Sequence, residues 1–213
     1  MIIFLIANGR VYNLSELKDY LKPDLVIAVN GGTNKALKYS TYPDIVIGDN
    51  DSIRKKVKSK LIKFPREKDK NDLELAVDYI LANYQNFKLF CFGVVGNRMD
   101  HTLSNINCIS KVEGYPPIII TAKETIFILG PNQSIYNINQ NIKVSVLSIV
   151  YNFSMIEIRG LKYSGNFELP FMSSLGISNH VVNEDNFIKC KQGKIIVIVY
   201  QKYQKLNRIN VER

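Results

Sequence analysis

The 213-residue sequence has no tryptophan, two histidines and three cysteines. None of its apolar runs approaches the roughly 18 residues that a membrane-spanning helix requires. Each scarcity removes a class of function. Cys91, Cys108 and Cys190 are odd in number, far apart and without a CxxC pair, and each stands among apolar neighbours. Neither a disulfide framework nor a cysteine zinc site is expected, and the three thiols read as small buried hydrophobes. Two histidines leave no basis for a histidine-rich metal centre. The apolar start Met1 to Ala7 lacks a basic lead-in and a cleavage-like site and runs directly into Asn8-Gly9-Arg10. It is therefore not read as a secretory signal, and a cytoplasmic protein is expected.

What is present is globular: 46% apolar and 22% charged residues, in a length that suits two compact units. The formal charge of +9 is unevenly spread. Segment 54 to 70 holds nine basic residues (Arg54, Lys55, Lys56, Lys58, Lys60, Lys63, Arg66, Lys68, Lys70) against Glu67 and Asp69. Such a run is either a solvated connection or an electropositive rim that attracts a polyphosphate. No RNA-binding sheet signature, helix-turn-helix spacing or C2H2 pattern accompanies it, so nucleic acid is not an expected partner.

From Met1 to about residue 125, short continuous apolar runs alternate with helix-like stretches, the pattern of buried parallel strands joined by crossover helices. The runs are Ile2 to Ala7, Leu25 to Val29, Asp44 to Ile47, Lys88 to Phe92 and Ile118 to Thr121. Helices are expected from a Ser15 cap to Leu21, from Gly32 to Tyr39, from an Asn71 cap, and from about Asp100 to Val112. The third has its apolar face on Leu73, Ala76, Val77, Ile80 and Leu81. After Gly130-Pro131-Asn132 come strand-length segments without a convincing helix: Gln133 to Ile138, Ile142 to Ile149, Met155 to Arg159, Ile177 to Val182, Phe187 to Cys190 and Lys194 to Gln201. The polar tail 201 to 213 reads as frayed. The expected fold is α/β, an N-terminal mostly parallel sheet flanked by helices (1–129) followed by a small antiparallel β-sandwich (130–213).

Four polar motifs fall at expected strand ends, which right-handed crossovers gather along one edge of a parallel sheet. In Gly48-Asp49-Asn50-Asp51-Ser52, two carboxylates two residues apart suit a hard cation such as Mg²⁺; an Asx-turn is the competing explanation. Lys68-Asp69-Lys70-Asn71-Asp72-Leu73-Glu74 opens the longest helix. Capping accounts for Asp72 or Glu74, but the Lys-Asp-Lys alternation fits a site holding metal and phosphate together. Gly93 to Asn105 combines a glycine turn with Arg98, Asp100 and His101; it has neither the GxGxxG nor the GxxxxGK[ST] spacing, and His101 could equally be a buried hydrogen-bonded side chain. Asn30-Gly31-Gly32 is either a backbone cradle for phosphate or a tight turn.

In order and combination these motifs resemble the thiamine pyrophosphokinase family. Its members carry a DGG-type turn, a GDxDS loop, a KDxTDxE-like helix start, a GxxGxRxDH segment and a late Ser-Asn, here Asn30-Gly31-Gly32, 48–52, 68–74, 93–101 and Ser178-Asn179. Asn30 stands where the family usually has Asp, and Asn71 where it usually has Thr. Asn30 can coordinate or donate but cannot act as a base.

The resemblance implies an ATP-binding α/β domain, a thiamine-binding β domain and a homodimer that transfers the diphosphoryl group of ATP to the thiamine hydroxyl. It further implies Mg²⁺ on Asp49, Asp51 and Asp72, and catalysis by Asp49, Asp72 and Arg98. ATP contacts are implied for Asn30, Gly31, Gly32, Ser52, Lys68, Asp69, Gly96, Arg98, Asp100 and His101, and thiamine contacts for Ser178 and Asn179, with Tyr163 as a stacking candidate. A related diphosphokinase with another acceptor, a homologue that only binds nucleotide or thiamine, and a polyanion binder using segment 54 to 70 are the competing readings.

Overall fold

A computed structural model describes the protein except for residues 13, 50, 55, 56, 206–209 and 213. Asn50 of the acidic loop and Lys55 and Lys56 of the basic segment thus lie outside the described residues, as does part of the tail. The chain forms two compact units, Met1–Val112 with Ile119–Ala122, and Glu113–Ile118 with Lys123–Arg213. Among the described residues no helix is long and apolar enough to cross a membrane.

The first unit is built from β1 (Ile2–Ile6), α1 (Leu14–Tyr20), β2 (Leu25–Val29), α2 (Gly32–Lys38), β3 (Ile45–Gly48), β4 (Lys60–Lys63), α3 (Asp72–Asn83), β5 (Lys88–Phe92), α4 (Met99–Ile109) and β6 (Ile118–Ile120). Its strands run in the order β6-β5-β1-β2-β3-β4. The pairings of β1 with β2 and β5, of β2 with β3 and of β3 with β4 are parallel. Continuous apolar runs are what strands covered on both faces require, and β2 and β3 are buried at every position. Phe4 packs against Phe92 and Phe90 at centroid distances of 5.0 and 6.0 Å. Helix α3 buries Leu73, Ala76, Val77 and Ile80 at helical spacing, while Leu81, expected on that face, lies at its rim and is exposed.

Helix α1 begins at Leu14, so Ser15 lies inside its first turn and is not the expected cap. Strand β4 was not expected, because it is the outermost strand of its sheet and its Lys60, Leu61 and Lys63 face solvent. Its register, Ile45↔Lys60 through Gly48↔Lys63, ends beside the end of β3. The last basic residues of the segment, Arg66, Lys68 and Lys70, are thereby delivered to the same sheet edge as the acidic loop.

The second unit contains β7 (Thr125–Leu129), β8 (Ser134–Tyr136), β9 (Lys143–Ser148), β10 (Phe153–Arg159), β11 (Gly165–Pro170), β12 (Asn179–His180), β13 (Phe187–Gln192), β14 (Ile195–Val199) and β15 (Asn210–Glu212). Four of these strands follow the order β12-β9-β14-β7 and the other five β11-β10-β13-β8-β15. The pairings in both sheets are antiparallel. The serine hydroxyls of Ser148 and Ser154 link the two layers at 2.8 Å. Strand β7 pairs with β14, which puts Thr125–Leu129 in the second unit, ahead of the expected boundary at 129/130. Of the expected strand Ile177 to Val182 only Asn179 and His180 are strand, after a single 3₁₀ turn at Ser174–Gly176. In the tail, Asn210–Glu212 pairs with β8 where fraying was expected.

All three cysteines are buried, and burial pushes the Cys190 thiol up to about 12. Asn186, 1% exposed, ties the sandwich loops: Nδ2 donates to the carbonyls of Ile138, Asn183 and Glu184, and Oδ1 accepts from the Ile138 N–H. Asn186→Ala leaves these buried backbone groups unpaired, and a loss of roughly 3 kcal/mol in urea unfolding is expected.

Candidate active site

Parallel strands end at one edge of their sheet, and in the first unit that edge carries the loops after β1, β2, β3, β4 and β5. Residue Asn30, directly after β2, takes a left-handed conformation with φ of 43°, which asparagine tolerates better than most residues. Its side chain turns toward the loop after β3. Gly48 at the end of β3 has φ of +145°, and a Cβ there would press on Asn30 Cβ at 3.0 Å and Asp72 Oδ2 at 3.2 Å. Glycine is what allows three loops to close on one point.

At that point the amide nitrogen of Asn30 donates to Asp49 Oδ1 at 2.8 Å, Asp51 Oδ1 at 3.2 Å and Asp72 Oδ2 at 3.2 Å. Its oxygen accepts from the Ser52 N–H at 3.3 Å. The Ser52 hydroxyl donates to Asp51 Oδ1 at 2.8 Å. These donors, Ser52 first and Asn30 next, hold the Asp51 carboxyl below its usual range. The Asx-turn is present too, with Asp51 N–H on Asp49 Oδ1 at 3.2 Å, so it coexists with the cluster.

Asn71 caps α3, its oxygen accepting from the Glu74 N–H at 2.9 Å, which frees Asp72 in the first turn to face the cluster. Lys68 bridges the Pro65 carbonyl at 2.9 Å and Asp72 Oδ1 at 2.7 Å. That buried oxygen has the ammonium nearby but no aligned hydrogen bond. Asp69 is exposed on the rim of a cavity of about 440 Å³ that Asp49, Arg66, Lys68, Asp72 and His101 also line. Asp49 Oδ1, Asp51 Oδ1 and Asp72 Oδ2 converge here, the last on the carboxylate whose other oxygen lacks an aligned donor, and this set of hard anionic oxygens fits Mg²⁺. Among the described residues no three acidic, histidine or cysteine side chains form a ready-made metal group, and the carboxylates converge instead on an amide.

The loop after β5 lies alongside. Asn105 is buried and donates to the Val94 carbonyl at 3.1 Å, and Thr102 Oγ1 accepts from the Gly96 N–H and donates to the Arg98 carbonyl. Both fasten the glycine loop to α4. His101 is exposed, which sets aside the buried-histidine alternative. Arg98 is paired with Asp100 two residues on, and this exposed pair pulls the Asp100 carboxyl down to about 2. The Arg98 guanidinium is thus engaged by its own helix rather than by the acidic cluster.

The sheet order reverses at β1, whose neighbours are β2 and β5, and the crevice between the loops after β1 and β5 is where open α/β sheets bind ligands. A cavity of about 550 Å³ lies there, lined by Asn8, Arg10, Lys35, Arg98 and His101. Asn8 borders this cavity, the acidic one and a third beside Asp51 and Arg54. Asn8, Arg10 and Lys35 were not among the expected site residues. The signal available was positional: Asn8-Gly9-Arg10 directly follows a buried strand.

Comparison with known proteins bears on the same elements. Residues 18–120 match the family model "Thiamin pyrophosphokinase, catalytic domain" and residues 134–195 match "Thiamin pyrophosphokinase, vitamin B1 binding domain". The chain belongs to the thiamine pyrophosphokinase family. It is 27% identical to thiamine pyrophosphokinase of Bacillus subtilis over 92% of this chain and 97% of that one. It is 25% identical to thiamin pyrophosphokinase 1 of Caenorhabditis elegans over 90% and 86%. In fold it is similar to the crystal structure of the B. subtilis enzyme, with a TM-score of 0.79 at 24% identity over 94% of this chain and 99% of that one. A thiamin pyrophosphokinase from Candida albicans gives a TM-score of 0.78 at 19% identity, covering 94% and 89%.

In the unit matching the thiamine pyrophosphokinase B1-binding domain, Ser178 is exposed with φ of 61°, and its N–H donates to Ser145 Oγ at 3.0 Å. Asn179 is buried: its oxygen accepts from the N–H groups of Tyr163 and His180, and its amide donates to the Tyr163 carbonyl. Its side chain fixes the 161–164 turn. Tyr163 is 60% exposed, with Lys162 Nζ 5.5 Å from the ring centre.

Two outcomes follow from this geometry. Because the folded carboxyl is depressed, the Arg98–Asp100 pair is complete above the ordinary carboxylate range and lost only as pH falls through about 2. An NMR titration of Asp100 will show that midpoint, and Arg98→Ala will raise it toward the ordinary carboxylate range without reaching it, because the His101 N–H still holds the carboxylate. Asn179→Ala will lower stability by roughly 2 kcal/mol in urea unfolding, whereas Ser178→Ala will leave it within about 0.5 kcal/mol.

Proposed function

We propose that the chain transfers the diphosphoryl group of ATP to the hydroxyl of thiamine, giving thiamine diphosphate and AMP. The observation that carries this reading is the convergence of Asp49, Asp51 and Asp72 on one point at the strand ends, within a member of this family. The three carboxylates are the ligands for Mg²⁺, which when bound neutralises polyphosphate charge and aligns the chain for in-line attack. Asp49 or Asp72 accepts the hydroxyl proton, a role closed to Asn30 because an amide is not a base. Lys68 is fixed by Pro65 and Asp72 with a third N–H left for a phosphate oxygen. Arg10, Lys35, Arg98 and His101 supply positive charge around the neighbouring cavity, which suits the phosphates of ATP. For Arg98 this means exchanging Asp100 for phosphate, an inexpensive exchange at an exposed pair.

Asn30, Gly31, Gly32, Ser52, Asp69, Gly96, Asp100 and His101 belong to the ATP side of this reading, as backbone, rim and orienting groups. Ser178 contacts thiamine directly, and Asn179 shapes the turn beside it. A homodimer is supported by apolar side chains left exposed on the second unit, among them Tyr151 at 90% and Leu175 at 63%. A cytoplasmic location fits the buried, unpaired cysteines.

The test is chromatographic separation of products from purified protein with ATP, Mg²⁺ and thiamine, with no-metal and no-thiamine controls. AMP and thiamine diphosphate in equal amounts are expected. Neither product, with both substrates bound, would favour a binding homologue, a reading that the amide among the carboxylates supports. Asp49→Asn and Asp72→Asn are each expected to reduce kcat by about a hundredfold or more without unfolding the chain. Near-normal kcat in both would remove the metal assignment. Ser178→Ala should raise the thiamine KM several-fold and leave kcat unchanged.

A further inference from the structure

We propose that the side-chain amide of Asn30 is the internal counter-charge of the acidic centre: it holds Asp49, Asp51 and Asp72 together in the metal-free chain and competes with a divalent cation for the same position. The inference rests on reading this centre as a cation site. An amide nitrogen carries two hydrogens, yet three carboxylate oxygens stand at 2.8, 3.2 and 3.2 Å from it. They share two donors. The other end of the amide is also engaged, since Oδ1 accepts from the Ser52 N–H at 3.3 Å. Reversing the amide would set its oxygen against three carboxylates, so both ends fix its orientation.

An amide hydrogen carries only a partial charge, so it offsets the repulsion incompletely and leaves the centre attractive to a full cation. Entry of a divalent ion then requires the nitrogen to leave the position it fills. An aspartate at position 30 would change both states in opposite directions. It would add a fourth negative charge, raising cation affinity, and remove the donor, leaving the metal-free centre under strain. Asparagine at this position therefore weakens cation binding and keeps the empty site ordered. A purely structural side chain would move stability and affinity in the same direction.

Mn²⁺ is the probe, with its free concentration read by electron paramagnetic resonance and Tm measured in chelator and at saturating Mn²⁺. The proteins are the full wild-type chain, Asn30→Asp, and Asn30→Gly, which removes the amide while accepting the left-handed backbone. In chelator both variants are expected to melt roughly 5 °C or more below wild type. Asn30→Asp should bind Mn²⁺ about tenfold more tightly, as added ligand charge dictates, and gain more Tm from it. Asn30→Gly should bind Mn²⁺ at least as well as wild type, its competitor being gone. Loss of structure in Asn30→Asp on chelation, restored by Mn²⁺, would count for the proposal. Equal Mn²⁺ affinity in wild type and Asn30→Asp, or unchanged Tm of both variants in chelator, would overturn it and leave the cation site standing. No Mn²⁺ binding by any of the three proteins would overturn the cation reading and the competition together.

Discussion

Three carboxylates repel one another, and their convergence at the ends of β2 and β3 and the start of α3 sets the terms for everything around it. Something must offset the charge, and the chain supplies partial offsets from several directions: the Asn30 amide, the Ser52 hydroxyl and the Lys68 ammonium. None of these works without the backbone that aims it. Asn30 must be left-handed, position 48 must lack a side chain, and Asn71 must take the capping duty so that Asp72 is free. The cost of gathering like charge is thus distributed over local conformations, each tolerable for the residue that adopts it.

The parallel sheet makes this economical, because one architectural rule, that parallel strands end together, collects five loops at once. Loops after β2, β3 and β4 supply the acidic centre and its lysine, while those after β1 and β5 supply cations at the point where the strand order reverses. Anionic and cationic side chains lie side by side, with Asn8 and His101 bordering both cavities. The antiparallel unit works differently. There Ser178 is exposed with its N–H held by Ser145, while its buried neighbour Asn179 fixes the 161–164 turn.

Much of this was readable in the sequence. Unbroken apolar runs marked β1, β2 and β5 because strands covered on both faces need no polar alternation, and the spacing of Leu73, Ala76, Val77 and Ile80 marked α3. The acidic centre was legible because its residues are rare in combination and punctuated by glycine. Strand β4 was not, since an outermost strand buries little and its lysines imitate a loop. Strand β11, with Leu169 its only buried position, is hidden for a similar reason. The unit to which Thr125–Leu129 belongs depends on β14, far downstream, and no local pattern carries that pairing. Asn8-Gly9-Arg10 carries no comparable signal, because ordinary residues line a cavity only when the fold brings them beside Gly93. Asn179 is the converse case, a residue in a recognisable motif whose side chain bonds the backbone, which the motif does not reveal.

The basic run on β4 has a second effect, unrelated to phosphate. An outermost strand presents a row of unsatisfied amide and carbonyl groups, and Leu61 there is half exposed, which is how one sheet recruits another strand from a neighbouring molecule. Lys60 and Lys63 stand on either side of the exposed leucine, so any approaching copy of this edge meets its own charge repeated. The lysines that look like bait for polyanions are also gatekeepers that terminate the sheet, and they let a sheet with an open hydrophobic margin remain a discrete molecule instead of growing into a fibre.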